Sequence, residues 1–216
     1  MPIKKQDKGN SYCMLYIVRH GQSQANYPHD LYGLDRSLTE KGLEQANKAA
    51  KKLKKIRFDV VYSSPLVRAR ETAEVIAAEL KLTVHTKDTL RDRIFGKIEG
   101  RKTQEVKEEL KELFEMRKKL PYSKWKKMAF AEGYETDEQM MSRFITALRE
   151  IAAAYAGKKV LIASHVSLIR VFLVHLGLKK YKDFEKYSFE NAGYIKLQCD
   201  GTDFFVEEIY GLKEKE

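Results

Sequence analysis

Apolar residues along this chain follow two alternating patterns, short continuous runs and longer segments with helical spacing. A short apolar run bounded by turn-forming residues is typical of a buried strand. The segment GYIKLQCDGTDFFVEEIY predicts a terminal β-hairpin that turns at Asp200 and Gly201. Four earlier runs predict strands, and they read CMLYIV from Cys13, DVVYS from Asp59, LTVHT from Leu82 and KVLIAS from Lys159.

Helical spacing occupies the stretches between these strands. Thr39 is predicted to begin the first helix, which carries apolar residues on one face. For the second helix we predict Ser64 as the cap and Pro65 as the first residue, because the N–H that proline lacks has no partner there. Thr136 and Gln139 have the spacing of a capping box and predict the start of a longer helix.

The order of these elements predicts the fold class. A charged helix is expected over 101–120, and a nearly all-apolar helix, SLIRVFLVHLG, follows the fourth strand. Strands that alternate with helices form a mostly parallel sheet covered on both faces, so we predict an α/β protein with three α/β/α layers. Binding sites in such sheets lie at the carboxyl ends of the strands. We expect a short tail over 1–13 and a single domain over 14–212.

Composition narrows the class of protein. The chain has 216 residues, 43% hydrophobic and 33% charged, as expected for a globular chain with a large core. No apolar run approaches the ~20 residues of a membrane helix, and the first residues lack the apolar segment of a signal peptide. Cys13 and Cys199 fall in predicted strands, so we interpret them as buried thiols in a reducing cytoplasm rather than a disulfide. We therefore expect a cytoplasmic protein that does not contact a membrane.

The formal net charge of +10 is compatible with nucleic acid, anionic lipid or phosphorylated substrates as partners. The lysines are mixed with glutamates on helical faces, a pattern typical of solvated surface that also steers anions. Binding to nucleic acid would need basic residues interleaved with exposed aromatic residues, and YSKWKKMAF is the only stretch that hints at this. We expect no nucleic-acid partner.

Polar residues follow the predicted parallel strands at their carboxyl ends. Arg19 and His20 follow the first strand, Arg68 comes shortly after the second, and His165 follows the fourth. A guanidinium matches two phosphoryl oxygens, and a neutral imidazole is a competent nucleophile. These residue types predict phosphoryl transfer on a small anionic substrate. The chemistry requires no metal or cofactor, and no cluster of acidic residues or spaced Cys and His residues suggests one.

Six sequence blocks carry a family resemblance. In order along the chain they read RHGQSQAN, SLTEKG, SSPLVRARETA, LRDRIFGKIEG, EGYETDEQMMSR and LIASHVSLIR. Their order and spacing resemble the histidine phosphatase superfamily, in its phosphoglycerate mutase-like branch, from about Leu15 to Asn191. The resemblance implies a phosphoglycerate mutase-like fold and hydrolysis of small phosphomonoesters without a metal, through a phosphohistidine.

The resemblance also implies roles for individual residues. His20 corresponds to the nucleophile, Arg19 and Arg68 to the phosphate clamp, and His165 to the second histidine, which contacts the phosphoryl oxygens. Asp92 stands where this branch usually has a glutamate that acts as general acid and base.

Two further positions match the mouth of the pocket, and three depart from the family. Ser23 and Asn26 correspond to residues that line the phosphate and substrate mouth. Asp92 is one methylene shorter than the usual glutamate, so Glu99 is a second candidate for the acid. The plainer interpretation of Asp92 is an exposed loop carboxylate without a catalytic role. The two remaining departures are Val166, where a glycine is common, and Tyr134, in a block usually written glycine-glutamate-serine.

Three alternatives to a phosphatase stay open. Phosphoglycerate mutases pass the phosphoryl group back, but they tend to have an additional arginine-rich stretch that is not found here. A catalytically weak module that binds a phosphorylated ligand would use the same pocket, and the basic charge keeps a nucleic-acid binder in view. We expect substrate specificity to come from 101–135, a helical insertion that forms the pocket rim. The sequence leaves the oligomeric state open, a homodimer included.

Overall fold

The structure, a computed structural model, describes residues 12–24 and 32–215. Its centre is a six-stranded sheet with the strand order β3-β2-β4-β1-β5-β6. The strands are β1 (Cys13–Arg19), β2 (Val60–Ser63), β3 (Val84–Thr86), β4 (Lys159–Ser164), β5 (Tyr187–Cys199) and β6 (Phe204–Glu214). Four neighbouring strands are parallel, whereas β5 and β6 form an antiparallel hairpin. The predicted mostly parallel sheet is confirmed.

Helices cover both faces of the sheet, as the three-layer prediction requires. One face packs against α1 (Glu40–Leu53) and α2 (Val67–Leu80) through a core that includes Val18 and Val61. The other face packs against α6 (Asp137–Ala154) and α7 (Val166–His175), with Ile17 and Phe172 in a larger core. Adjacent β1 residues therefore point into different cores because side chains alternate along a strand.

The start of α2 differs from its prediction. The helix begins at Val67, with Leu66 as its cap, so neither Ser64 nor Pro65 belongs to it. The carboxylate of Asp35 accepts hydrogen bonds from the backbone N–H of Val67, at 3.0 and 3.1 Å. A side chain from an earlier loop supplies the cap at Val67, while the hydroxyl of Ser64 accepts from the backbone N–H of Leu66, at 3.3 Å.

The predicted charged helix over 101–120 is two helices. They are α3 (Thr103–Glu109) and α4 (Lys111–Lys119), which meet at Leu110, where the backbone leaves the helical region. The short α5 (Tyr122–Trp125) follows Pro121. Another short helix, α8 (Asp183–Lys186), connects α7 to the terminal hairpin.

Other local predictions are confirmed. Thr39 caps α1 by accepting a hydrogen bond from Gly42, and Thr136 and Gln139 form the predicted capping box. Cys13 and Cys199 are buried free thiols. The strand β1 begins at Cys13, and β6 continues to Glu214. Within the described part of the chain, no helix is both long and apolar enough to cross a membrane.

Candidate active site

The carboxyl ends of three parallel strands bring the two predicted catalytic histidines together. His20 follows β1, and its backbone N–H donates to the carbonyl of Ser164 at the end of β4, at 3.0 Å. Ser64 follows β2 and donates its N–H to Ala163 in the same strand, at 3.0 Å. As a result, the ring centroids of His20 and His165 lie 5.2 Å apart.

Two glycines let the loop after β1 lie against the first turn of α1. A Cβ at Gly21 would stand 2.4 Å from the carbonyl oxygen of Gly42, and a Cβ at Gly42 would stand 1.9 Å from that of Gln22. Both distances are far below van der Waals contact, so only glycine fits at either position. The glycine that follows Arg19 and His20 is thus explained by backbone packing.

His20 is held with one ring nitrogen ready to act as a nucleophile. Its Nδ1 lies 2.6 Å from the carbonyl of Gly21, which can only accept, so Nδ1 carries the proton and Nε2 carries the lone pair. Nε2 faces Arg68, whose Nε lies 3.3 Å away. Asn191 donates its side-chain N–H to the backbone carbonyl of His20 at 3.0 Å. Burial and the surrounding cations lower the pKa of His20 well below its ordinary value, so the ring is neutral.

Asp92 lies inside the same cluster. Its Oδ2 accepts from Nη2 of Arg68 at 2.8 Å, and its Oδ1 accepts from the backbone of Arg93 at 2.9 Å and from the hydroxyl of Ser167. Burial by itself would raise the pKa of Asp92. His165, which is protonated in the acid range where Asp92 titrates, the Arg68 guanidinium and the hydrogen bonds outweigh burial and hold the pKa well below its usual range. Asp92 is therefore a carboxylate at neutral pH.

Arg143 of α6 fixes the loop that carries Asp92. It forms a two-bond fork with the carboxylate of Glu135, at 2.5 and 2.8 Å. The same guanidinium donates to three backbone carbonyls of the loop, those of Thr89, Arg91 and Asp92. The block EGYETDEQMMSR contains both Glu135 and Arg143, and its physical role here is to position the Asp92 loop.

His165 is fully buried between Ser64 and Asp92. Its Nε2 lies 2.8 Å from the hydroxyl of Ser64, and its Nδ1 lies 3.4 Å from Oδ2 of Asp92. Burial is the main cause that lowers the pKa of His165, to about 3; the charge of Asp92 opposes this shift, and the nearby arginines add to it. His165 is consequently neutral at physiological pH and can serve as a polar contact without adding a cation.

Arg19 is the least paired cation of the cluster. One of its terminal nitrogens donates to the carbonyl of Phe189 in β5, and its Nε is buried without a partner. Burial is the main cause that lowers the pKa of Arg19, to about 10, and the charge of Arg170 adds to this effect. The guanidinium therefore stays charged at neutral pH and is available to an incoming anion.

The structure separates the two candidates for the acid. Glu99 is exposed and lines a small cavity beside Gly33 and Arg93, and none of its side-chain contacts reaches the two histidines. Asp92 contacts the cluster directly, so the geometry favours it over Glu99. Ser23 is fully buried and pairs through its backbone with Leu38.

Three other positions of the predicted site are Asn26, Val166 and Tyr134. Asn26 lies outside the described residues. Val166 is the first residue of α7, directly after His165, and it is partly buried. The ring of Tyr134 packs against Phe95 and lies 5.3 Å from the Arg93 guanidinium, so this departure fills space behind the Asp92 loop.

The sequence interpretation missed three residues that position this site. Ser167 could have been found as the hydroxyl in the first turn after His165, and Arg143 as the last residue of its block. Asn191 gives no local signal, because only the sheet places it beside His20. In residues 12–24 and 32–215, no group of three or more His, Cys, Asp or Glu side chains is arranged to hold a metal ion.

Comparisons with known proteins agree with this geometry. The sequence profile of the histidine phosphatase superfamily (branch 1) matches residues 15–210. Phosphoglycerate mutase-like protein 4 of Arabidopsis thaliana is 33% identical over 162 residues, which are 74% of this chain and 69% of that protein. Phosphoserine phosphatase 1 of Hydrogenobacter thermophilus is 31% identical over 209 residues, 89% of this chain and 96% of that protein. The crystal structure of phosphoglycerate mutase from Bacillus anthracis superposes with a TM-score of 0.79 at 27% identity, covering 93% of both chains.

Proposed function

The chain belongs to the histidine phosphatase superfamily, and we propose that this phosphatase hydrolyses small phosphomonoesters through a phosphohistidine at His20. The observation that carries the proposal is the state of the His20 ring. Its Nδ1–H is tied to a backbone carbonyl, its pKa is low, and Nε2 presents a lone pair among arginines. A neutral imidazole held in this tautomer can attack phosphorus without first losing a proton.

The surrounding groups suit the phosphoryl oxygens. Arg68 provides a guanidinium donor in contact with His20, Arg19 adds a second charge near the ring, and α7 directs its first backbone N–H groups toward the same edge of the sheet. The phosphoryl group carries up to two negative charges, which these cations neutralise as charge develops on its oxygens. His165 adds a neutral polar contact beside them.

The proton for the leaving group requires a change in Asp92 when substrate binds. In the free enzyme its carboxylate is ionised, because Arg68 and the hydrogen bonds stabilise the charge. An arriving phosphoryl anion competes for Arg68 and raises the pKa of Asp92 by like-charge repulsion. Asp92 then takes up a proton and donates it to the ester oxygen as the bond between phosphorus and oxygen breaks.

The second half of the reaction reverses these roles. Asp92, now a carboxylate again, accepts a proton from a water molecule that attacks the phosphohistidine. The bond between phosphorus and Nε2 of His20 breaks, the ring recovers its lone pair, and inorganic phosphate leaves. Arg68 contacts both His20 and Asp92, which supports a sequence of steps shared by these groups, and no step needs a metal.

A panel of phosphate esters, with inorganic phosphate and transferred phosphate both measured, tests this proposal. The panel includes phosphoserine, since one relative is a phosphoserine phosphatase. We expect release of inorganic phosphate that persists in excess EDTA and is lost in His20→Ala. The matched control is His85→Ala, because His85 is an exposed histidine of β3 away from the site. If His20→Ala keeps a tenth of the wild-type rate, His20 is not the nucleophile, and transfer in place of release would indicate a mutase.

The proposal also covers the cellular location, the partners and the oligomeric state of the enzyme. We propose a cytoplasmic protein whose partner is a small anionic phosphorylated substrate, with no nucleic acid and no membrane among its partners. A homodimer is part of this proposal, and light scattering of the purified protein measures the mass of the assembly directly.

A further inference from the structure

Arg68 forms ion pairs with two carboxylates, and only one of them takes part in the proposed proton transfer. Its Nη2 donates to Asp92 at 2.8 Å, and its Nη1 lies 3.5 Å from Oδ1 of Asp35. Nη1 also donates to the backbone carbonyl of Leu34 at 3.4 Å. The side chain of Arg68 is only 4% exposed. Its direction is therefore set by these few contacts together with Nε, which lies 3.3 Å from Nε2 of His20.

Asp35 belongs to the loop that precedes α1, and it is fixed against the first turn of α2. Both of its oxygens accept from the backbone N–H of Val67, at 3.0 and 3.1 Å. The N-terminus of a helix is a favourable position for a negative charge. Arg68 is the next residue of the same turn, so the carboxylate that caps α2 also stands beside the guanidinium. The cap holds this carboxylate in place independently of Arg68.

A second acidic residue anchors the same loop without reaching Arg68. Glu71 of α2 accepts from the backbone N–H of Leu38 at 2.7 Å. Among the residues that the structure describes, the ion pairs of Arg68 do not include Glu71. Two carboxylates thus hold the loop against α2, and only that of Asp35 also contacts the guanidinium.

The two ion pairs of Arg68 differ in what happens to them during the reaction. In the proposed mechanism Asp92 takes up a proton and passes it to the leaving group, so it is no counter-ion of Arg68 until that proton has left. Asp35 exchanges no proton in this mechanism, and its charge stays beside Nη1 throughout. We propose that Asp35 is a positioning residue, which keeps Arg68 directed at the phosphoryl group while Asp92 changes its protonation state. This inference rests on the proposed phosphatase function.

Asp35→Asn tests the inference because it removes the charge and keeps a helix cap. Asparagine is a good N-cap residue, so its oxygen can still accept from Val67. The side chain of Asp35 is 34% exposed, and an ion pair with a partly exposed partner is weak. We therefore expect kcat to fall by about fivefold, with KM changed by less than about twofold. The loss should be equal for 4-nitrophenyl phosphate and glycerol 1-phosphate, because both present the same phosphoryl group to Arg68.

Two further variants and a binding measurement make the test specific. Glu71→Gln is the matched control, since it alters an anchor of the same loop and leaves the contacts of Arg68 intact, and its kcat is expected to equal that of the wild type. Asp35→Glu keeps the charge and is expected to recover part of the loss. Orthovanadate resembles the phosphoryl group in the transition state. Its dissociation constant, measured by calorimetry, is expected to rise about fivefold in Asp35→Asn and to stay unchanged in Glu71→Gln.

Equal losses of kcat in Asp35→Asn and Glu71→Gln would show that Asp35 only anchors the loop, and they would overturn the inference. Unchanged kcat and unchanged vanadate affinity in Asp35→Asn would overturn it as well. Hydrolysis of 4-nitrophenyl phosphate by the wild type, lost in His20→Ala, checks the phosphatase function separately. Failure of that reaction would overturn both proposals, whereas failure of the comparison between Asp35 and Glu71 would overturn only the role of Asp35.

Discussion

Replacing Asp92 with asparagine separates proton donation from the other contacts of this side chain. The amide keeps one oxygen, which can accept from Ser167 and the backbone of Arg93 as Oδ1 does, while its NH2 group takes the place of Oδ2, the acceptor of Arg68. Arg143 holds the same loop through backbone carbonyls that the substitution does not touch. What Asp92→Asn removes is the carboxylate charge and the proton that it can deliver.

The size of the effect follows from these contacts. The 2.8 Å bond from Arg68 is lost because an amide NH2 group cannot accept it, a loss of about 1.5–3 kcal/mol, or roughly 10- to 100-fold in rate. This loss affects every substrate that needs Arg68. General acid catalysis contributes a further factor of roughly 10²–10⁴ only when the leaving group is a poor one. The alkyl ester should therefore lose about 10²–10⁴ more than the nitrophenyl ester.

The assay compares kcat for glycerol 1-phosphate, followed by phosphate release, with kcat for 4-nitrophenyl phosphate, followed by absorbance. Glu99→Gln is the control, because Glu99 is exposed and makes no contact with the cluster. We expect it to change neither rate by more than about twofold. Equal losses on both esters in Asp92→Asn would mean that Asp92 is structural or binds phosphate. A leaving-group effect in Glu99→Gln would mean that the acid is misassigned.

Two predictions concern stability. The pKa values of His20 and His165 are lowered in the folded protein. Below pH ~6.5 the unfolded chain therefore binds more protons than the folded one. The free energy of unfolding then decreases as pH falls, by up to about 1.4 kcal/mol per pH unit for each histidine. Urea unfolding between pH 7.5 and 5 should show a smaller decrease for His165→Gln than for wild type, and an unchanged slope would contradict the neutral buried ring. Gly42→Ala should destabilise the protein by about 1–3 kcal/mol because its Cβ would stand 1.9 Å from the carbonyl oxygen of Gln22. A stabilised variant in thermal unfolding, the usual result of Gly→Ala in a helix, would show that the loop and α1 do not pack this closely.

The sequence by itself determined the elements whose signals are local. Strand runs and the caps at Thr39 and Thr136 depend on residues a few positions apart, so they can be read directly from the chain. The mostly parallel direction of the strands could be predicted from the alternation of strands and helices. Because parallel strands end at one edge, the same alternation also predicted that His20 and His165 meet there, and their rings do lie side by side.

The prediction from local sequence was wrong at the start of α2, where a residue distant in the chain competes to cap the helix. It placed the start of α2 at Ser64 and Pro65, whereas Asp35, far away in sequence, caps the helix at Val67. A capping pattern describes only the residues beside the helix. The partner that wins is decided by which side chains the fold brings within hydrogen-bond distance.

Tertiary structure alone decided how the site is held and charged. The choice between Asp92 and Glu99 depends on where each carboxylate lies, and Arg143 of another helix fixes the loop that carries Asp92. Asn191 reaches His20 across the sheet, and the Nε of Arg170 is buried without a hydrogen-bond partner in the described chain. These features depend on three-dimensional distances between residues far apart in sequence, and burial then converts those distances into shifted pKa values.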